Sequence, residues 1–140
     1  PLSLARTLYN IYTAIPRWWH RKGFGVQSPS DYELVRDVLF EPLHYYAYRE
    51  QGLASPLSRQ LYRIRLWRPD AVVVCNAREY EAAALQAGDD TVVVVEDISG
   101  RNERLWQQVL RDERARVTFD MRQRGLVLFN KKRIKQNYLL

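Results

Sequence analysis

Two adjacent carboxylates follow the most hydrophobic run of the sequence. Residues 92–100 are VVVVEDISG, so Glu96 and Asp97 come directly after four valines. A continuous valine run, without alternation, is typical of a strand covered on both faces, as in parallel sheets. Ligands of such open sheets bind outside the carboxyl ends of the strands. Carboxylates placed there can ligate a hard cation such as Mg²⁺, so Glu96 and Asp97 are candidate metal ligands.

Helix capping is the alternative role for the same residues. Asp97 or Ser99 can cap the helix that we expect to begin at Gly100, and such a cap stabilises a helix by about 1 kcal/mol. Acidic groups also interact favourably with the dipole at a helix N terminus. No third ligand is evident beside the pair. We therefore favour capping, and we assign no catalytic residue.

The turn after the first predicted strand carries no glycine. Residues 71–75, AVVVC, predict that strand, and the following turn is CNAREYEAA. A nucleotide-type cofactor needs a glycine-rich turn here, because the backbone must approach the ligand closely. Arg78, Glu79 and Tyr80 occupy the region instead. The pattern argues against an ordinary dinucleotide or adenosyl site, and cofactor-binding residues stay unassigned.

The first half of the chain predicts helices. Ser30 and Glu33 form a capping box for one helix. Ser55 and Pro56 open another, which ends before Pro69. Two further helical segments are indicated, one between Leu4 and Ile15 and one over residues 43–50 with its tyrosine cluster HYYAYR. These segments make an N-terminal helical extension.

The second half predicts an α/β core. The two valine strands flank a helix over residues 77–87, which makes one strand–helix–strand crossover. A helix over residues 100–112 follows, and the remaining strands are expected over residues 116–121, 126–130 and 137–140. The fold class is therefore α/β, with a small, mainly parallel sheet whose C-terminal strands are antiparallel.

The composition is that of a globular protein. The chain has 140 residues, of which 46% are hydrophobic and 27% charged, enough to bury a core. We expect a single domain over residues 1–140, with the helical extension in 1–68 and the α/β core in 69–140.

The lone Cys75 forms no internal disulfide. No apolar run approaches the ~20 residues of a membrane span, and no signal-peptide pattern is present, so we expect a cytoplasmic protein.

The positive charge lies mostly in the first half. Of the net charge of +6, residues 1–68 carry +5. RWWHRKGF at residues 17–24 interleaves aromatic and basic residues, which could stack on bases and contact phosphates. An amphipathic helix end with a buried tryptophan explains the same pattern, and we favour it. Nucleic-acid binding stays an alternative.

Three stretches resemble parts of a known enzyme family. KGFGVQSPSDYELVRDVL (residues 22–39) is similar to a GVHSPF segment and the helix after it. RLWRPDAVVVCNA (residues 65–77) lies where the family has a helix, a proline and its first strand. Residues 92–140 resemble a late strand ending in a DDI-type motif, a helix with a tryptophan, and the terminal strands. The family is the class I S-adenosylmethionine-dependent methyltransferases, of a bacterial type with an N-terminal helical extension.

The sequence departs from that family at functional positions. Gln27 stands where the family has His, and Ser30 where it has an aromatic residue. The 15 residues 76–90 separate two strands between which the family places several strand–helix units. By the resemblance, Glu96 and Asp97 align with metal-proximal carboxylates, and no other catalytic residue has a match. The resemblance implies a truncated Rossmann-like methyltransferase fold, whose exposed strand would be covered by the N-terminal helices or by a second copy.

Three functional hypotheses follow. The first is a degenerate methyltransferase-like protein, a pseudoenzyme without S-adenosylmethionine binding, that acts through a protein partner or as a homodimer. The second is a methyltransferase whose site for S-adenosylmethionine and Mg²⁺ is unconventional or completed across a dimer. The third is a basic nucleic-acid-binding module. We favour the first and expect no cofactor and no membrane span.

Overall fold

The computed structural model describes residues 29–40, 48–49 and 51–140. Its contacts divide the chain into two compact units, one ending at Trp67 and also including Leu140, the other spanning Arg68–Leu139. The expectation of a single domain stays a prediction. The predicted helix between Leu4 and Ile15, the RWWHRKGF segment, Gln27 and most of the HYYAYR cluster lie outside the described residues.

The described part of the first unit is mainly helical. Helix α1 (Pro29–Glu33) continues directly as a π-helical segment, Leu34–Leu39. Helix α2 spans Pro56–Trp67, and the hydroxyl of Ser55 accepts from the backbone N–H of Ser58 at 3.1 Å, as the predicted cap requires. The guanidinium of Arg63 on α2 donates to the carbonyl oxygens of Val38 and Leu39 at 2.6 and 2.7 Å. These bonds satisfy the last carbonyls of the π-helical segment.

The second unit is α/β, as predicted. Its helices are α3 (Ala77–Leu85) and α4 (Glu103–Arg111). Its strands are β1 (Val72–Val74), β2 (Val92–Glu96), β3 (Val117–Asp120), β4 (Arg124–Leu128) and β5 (Gln136–Leu139). They form one sheet in the order β1-β2-β4-β3-β5.

The expectation of a mainly parallel sheet is wrong, because the sheet is mixed. Strand β1 pairs with β2 and β3 with β5 in parallel, whereas β4 is antiparallel to both of its neighbours. The tight turn between β3 and β4 causes the reversal. The N–H of Met121 donates to the carbonyl of Arg124 at 2.9 Å, and Arg122 adopts a left-handed φ of 71°. A connection this short joins only antiparallel strands.

The core of the second unit lies between the sheet and its two helices. All four valines of β2 are buried, as their continuous run predicts. Val93 and Val95 belong to a cluster with residues of both helices, including Tyr80 on α3 and Trp106 on α4. In the part of the chain that the structure describes, no helix is both long enough and apolar enough to cross a membrane.

Candidate functional site

The sheet brings the ends of β1 and β2 together at one edge. The two strands are parallel and Val74 is the register partner of Val95, so Cys75 and Glu96 follow side by side. Helices α3 and α4 begin shortly after these strand ends. This edge is where ligands of parallel sheets bind, and it contains Glu96 and Asp97. It is the candidate site.

Asn102 joins the two strand ends. Its side-chain amide donates from Nδ2 to the carbonyl oxygen of Cys75 at 2.9 Å and to that of Glu96 at 2.7 Å. Its own backbone carbonyl accepts from the N–H of Trp106 at 2.8 Å, which starts α4. Asn102 is buried, so both carbonyls are satisfied by protein rather than by a ligand.

The glycine-free turn after β1 is closed by its own side chains. The carboxylate of Glu79 accepts from the backbone N–H of Cys75 at 2.6 Å. The side chain of Asn76 accepts in turn from the N–H of Glu79 at 2.9 Å and caps α3. These reciprocal bonds resemble a capping box. The bonds occupy the backbone N–H groups of Cys75 and Glu79, in the turn where a cofactor would need free backbone groups.

Glu96 forms an ion pair across the sheet. Its register partner on β4 is Arg124, and the guanidinium donates from Nε to Oε1 at 2.8 Å and from Nη2 to Oε2 at 3.2 Å. Arg124 is only 5% exposed. Both oxygens of the predicted metal ligand are therefore bound by a buried arginine.

Asp97 organises the turn before α4. It has a left-handed φ of 54°, and its Oδ2 accepts from the backbone N–H of Arg101 at 3.1 Å. Its carbonyl oxygen accepts from the N–H groups of Gly100 and Asn102 at 3.2 and 3.0 Å. A Cβ on Gly100 would lie 2.5 Å from Oδ1 of Asp97. The aspartate thus acts as a cap, but of a turn that precedes α4 rather than of the helix itself, which begins at Glu103.

At this edge the carboxylate of Glu96 is already engaged by Arg124, which argues against a bound Mg²⁺ there. A metal needs carboxylate oxygens that are available together, whereas Arg124 binds both of those of Glu96. Among the residues with described positions, no three His, Cys, Asp or Glu side chains form a group that could hold a metal. The assignment of Glu96 and Asp97 as ligands stays a prediction, and capping explains the contacts of Asp97 better.

A second polar network joins α3 to the residues after α4. The hydroxyl of Tyr80 donates to Oδ2 of Asp112 at 2.8 Å. Arg114 donates to both oxygens of Glu81, at 3.1 and 2.9 Å, and also to Asp112. Burial and the bond to Asp112 raise the pKa of Tyr80. Burial acts to raise the pKa of Asp112, but the hydrogen bonds and charge of Arg114, together with the bond from Tyr80, lower it overall. All four groups are paired, so the network is structural.

Sequence reasoning missed Asn102 and Arg124. Asn102 occupies the N-cap position of α4 but makes no side-chain cap bond, and one of its acceptors lies 27 residues away. The partner of Arg124 lies 28 residues away. Only the strand order brings these groups together, and no local pattern indicates it.

A scan against models of known protein families finds no match to this chain, and searches of curated proteins and of solved structures find none either.

Proposed function

We propose that the chain is a non-catalytic, methyltransferase-like protein that acts by binding a protein partner, and that this partner is a second copy of itself. The single observation that carries the proposal is the closure of the strand ends by Asn102 and Glu79. A catalytic site at this edge would leave donors and acceptors available to its ligand. Here the chain's own side chains use them.

The relationship to methyltransferases is supported by the residue resemblance described above. The α/β architecture is compatible with a truncated Rossmann-like core, because β1, α3 and β2 form a parallel strand–helix–strand unit. The antiparallel β4 lies in the C-terminal part of the chain, where the resemblance places terminal strands.

The edge of β1 supports partner binding. Strand β1 ends the sheet, and within the described ranges no strand pairs with its outer edge. Its sequence is three valines, with no charge, and Val72 is 41% exposed. Natural edge strands are usually protected by charges, prolines, bulges or by being very short, and β1 has only its short length. An edge of uncharged residues can accept a strand from another chain.

The first test is calorimetric titration of the full chain with S-adenosylmethionine and S-adenosylhomocysteine, with and without Mg²⁺. We expect no binding heat. Micromolar binding, about −8 kcal/mol, would contradict the proposal and favour the methyltransferase alternative. Replacing Glu96 and Asp97 together by Ala should lower stability without removing any activity, and loss of a metal-dependent activity in that variant would contradict the capping role.

The second test is light scattering on size-exclusion fractions over a range of concentrations. We expect a dimer that Val72→Lys dissociates, because a charge on an edge strand opposes strand pairing. Ile134→Lys is the matched control, since Ile134 is also exposed but lies between β4 and β5. A monomer at all concentrations, or equal effects of the two lysines, would contradict self-association through β1. An affinity for oligonucleotides that falls steeply with salt would favour the nucleic-acid alternative.

A further inference from the structure

A cavity of about 510 Å³ lies in the second unit. It is lined by Ala84, Leu85, Ala87, Glu113, Arg114, Arg116, Phe129 and Lys131. The cavity lies where α3 and β4 end and β2 begins. The strand ends meet there because Leu128, the last residue of β4, is the register partner of both Val92 and Val117. Glu96 lies at the other end of β2. The cavity is thus separate from the candidate site, and its volume is within the range of small-molecule pockets.

The lining divides into an apolar part and a cationic part. The apolar part is formed by Ala84, Leu85, Ala87 and Phe129, of which Ala84 and Phe129 are largely buried. Leu85 is 73% exposed, so its side chain is accessible to a ligand in the cavity. The three basic residues outnumber the single acidic residue, Glu113.

Two of the basic groups retain unused donors. Arg114 is neutralised by Asp112 and Glu81. Arg116 donates from Nε to the carbonyl of Arg133 and from Nη1 to that of Glu113. Nη1 also forms an ion pair with the carboxylate of Glu113 at 3.6 Å. The Nη2 group of Arg116 has no hydrogen bond to any described residue. The ammonium of Lys131 likewise has no hydrogen bond or ion pair within the described ranges; its backbone N–H alone is held, by Asp89.

We propose that this cavity binds a small carboxylate with a compact aliphatic or aromatic body. The carboxylate accepts from Lys131 and from Nη2 of Arg116, and charge-assisted hydrogen bonds of this kind are the strong ones. The body contacts Ala84, Ala87 and Phe129 and covers Leu85. A ligand of similar size that lacks a carboxylate cannot accept these bonds. This inference is independent of the proposed function, because it uses neither the edge of β1 nor the closed strand ends.

The test is a calorimetric titration of the full chain with 3-phenylpropionate, compared with 3-phenylpropanol and 2-phenylethylamine as neutral and cationic probes of similar size. We expect saturable binding of the acid and binding of the other two at least about tenfold weaker, a difference of about 1.4 kcal/mol. Failure of the acid to saturate at millimolar concentration, or equal binding of all three probes, would overturn the proposal.

Variants locate the binding. Lys131→Gln should weaken binding of the acid about fivefold, near the upper limit for one exposed charge pair. Lys132→Gln is the matched control, because Lys132 is adjacent and exposed but does not line the cavity. Equal weakening by both would indicate unspecific attraction and overturn the site.

Two further variants test the cavity itself. Ala87→Leu places a larger side chain in the cavity and should abolish binding. Leu85→Glu adds a negative charge at an exposed position and should weaken binding even if Ala87→Leu impairs folding. Circular dichroism establishes that each variant is folded. Unchanged binding in a folded Ala87→Leu protein, or in Leu85→Glu, would place the ligand elsewhere and overturn the proposal.

Discussion

Arg124 lies directly opposite Glu96 in the register of β4 and β2, and its guanidinium binds both carboxylate oxygens. The arginine side chain is 6% exposed and that of the glutamate 27%. A guanidinium at this depth requires a counter-ion, because an unpaired buried charge is strongly destabilising. The carboxylate of Glu96, which the sequence suggests as a metal ligand, therefore neutralises Arg124 within the sheet.

Replacing Glu96 by Gln should destabilise the protein. The amide keeps one acceptor oxygen but removes the charge that neutralises Arg124, so we expect a loss of about 1–3 kcal/mol in the free energy of unfolding. The measurement is the midpoint of urea denaturation. Glu103→Gln is the control, because Glu103 is an exposed carboxylate in the first turn of α4. Equal effects of the two substitutions would mean that the ion pair contributes nothing.

The local elements of the second unit were predictable from the sequence. The valine runs give β1 and β2, and the apolar spacing of α4 places Trp106 and Val109 in the core. These signals are local, since hydrophobic periodicity is set by neighbouring residues. The α/β class therefore follows from the sequence without knowledge of distant contacts, whereas the mixed pairing of the sheet does not.

The strand order was not predictable in the same way. Strand β4 inserts between β2 and β3, although β3 precedes it in the chain. This insertion makes the sheet mixed and places Arg124 beside Glu96. A carboxylate after a buried strand looks the same in sequence whether it binds a metal ion or an arginine 28 residues away. The sequence placed Glu96 and Asp97 after a buried strand, but the contacts of Glu96 depend on a strand pairing that no local pattern encodes.

Replacing Asn102 by Asp should be more harmful than replacing it by Ala. The Asp oxygen would face the carbonyl oxygens of Cys75 and Glu96 in place of the donor that now binds them. We expect Asn102→Ala to lower the free energy of unfolding by about 1–3 kcal/mol, because two hydrogen bonds are lost. For Asn102→Asp we expect a loss of more than about 3 kcal/mol, because the new oxygen is also repelled by the two carbonyl oxygens.

Asn130→Asp is the matched control for Asn102→Asp. The side-chain oxygen of Asn130 accepts from the backbone N–H of Lys132, and an Asp oxygen can accept the same bond. Thermal unfolding followed by circular dichroism measures both variants. A smaller loss for Asn102→Asp than for Asn102→Ala would show that the amide does not act as the donor.

Replacing Gly125 by Ala should destabilise the packing of α4 on the sheet. An added Cβ would lie 2.4 Å from ring carbons of Trp106, and overpacking of this kind costs about 1–3 kcal/mol or more. Trp106→Leu removes the ring, so the glycine substitution should cost less in that background. Unfolding in urea of the two single variants and the double variant measures this coupling.

Gly88→Ala is the control for Gly125→Ala. No atom lies within 4 Å of a Cβ at Gly88, and its φ is not left-handed. We expect Gly88→Ala to leave the free energy of unfolding unchanged or to raise it by up to about 1 kcal/mol, because alanine lowers the conformational entropy of the unfolded chain. If Gly125→Ala also left the free energy of unfolding unchanged, the indole of Trp106 could not lie as close to β4 as the structure places it.

Tyr80→Phe should change the dependence of stability on alkaline pH. Burial and Asp112 raise the pKa of the folded tyrosine above its ordinary value of 10.0. Above pH 10 the unfolded chain therefore loses a proton that the folded chain keeps, and stability falls as the pH rises toward the folded pKa. Phe cannot lose that proton, so the variant should lose stability less steeply above pH 10, measured by urea unfolding at successive pH values.

The same substitution should cost about 1 kcal/mol at neutral pH, where the bond from Tyr80 to Asp112 is intact. The control is Tyr80→Phe in an Asp112→Asn background. Removing the carboxylate removes one cause of the raised pKa, so Phe should then alter the alkaline slope less than it does in the wild type. Identical slopes for the wild type and Tyr80→Phe between neutral and strongly alkaline pH would show that the hydroxyl is not held by Asp112 in solution.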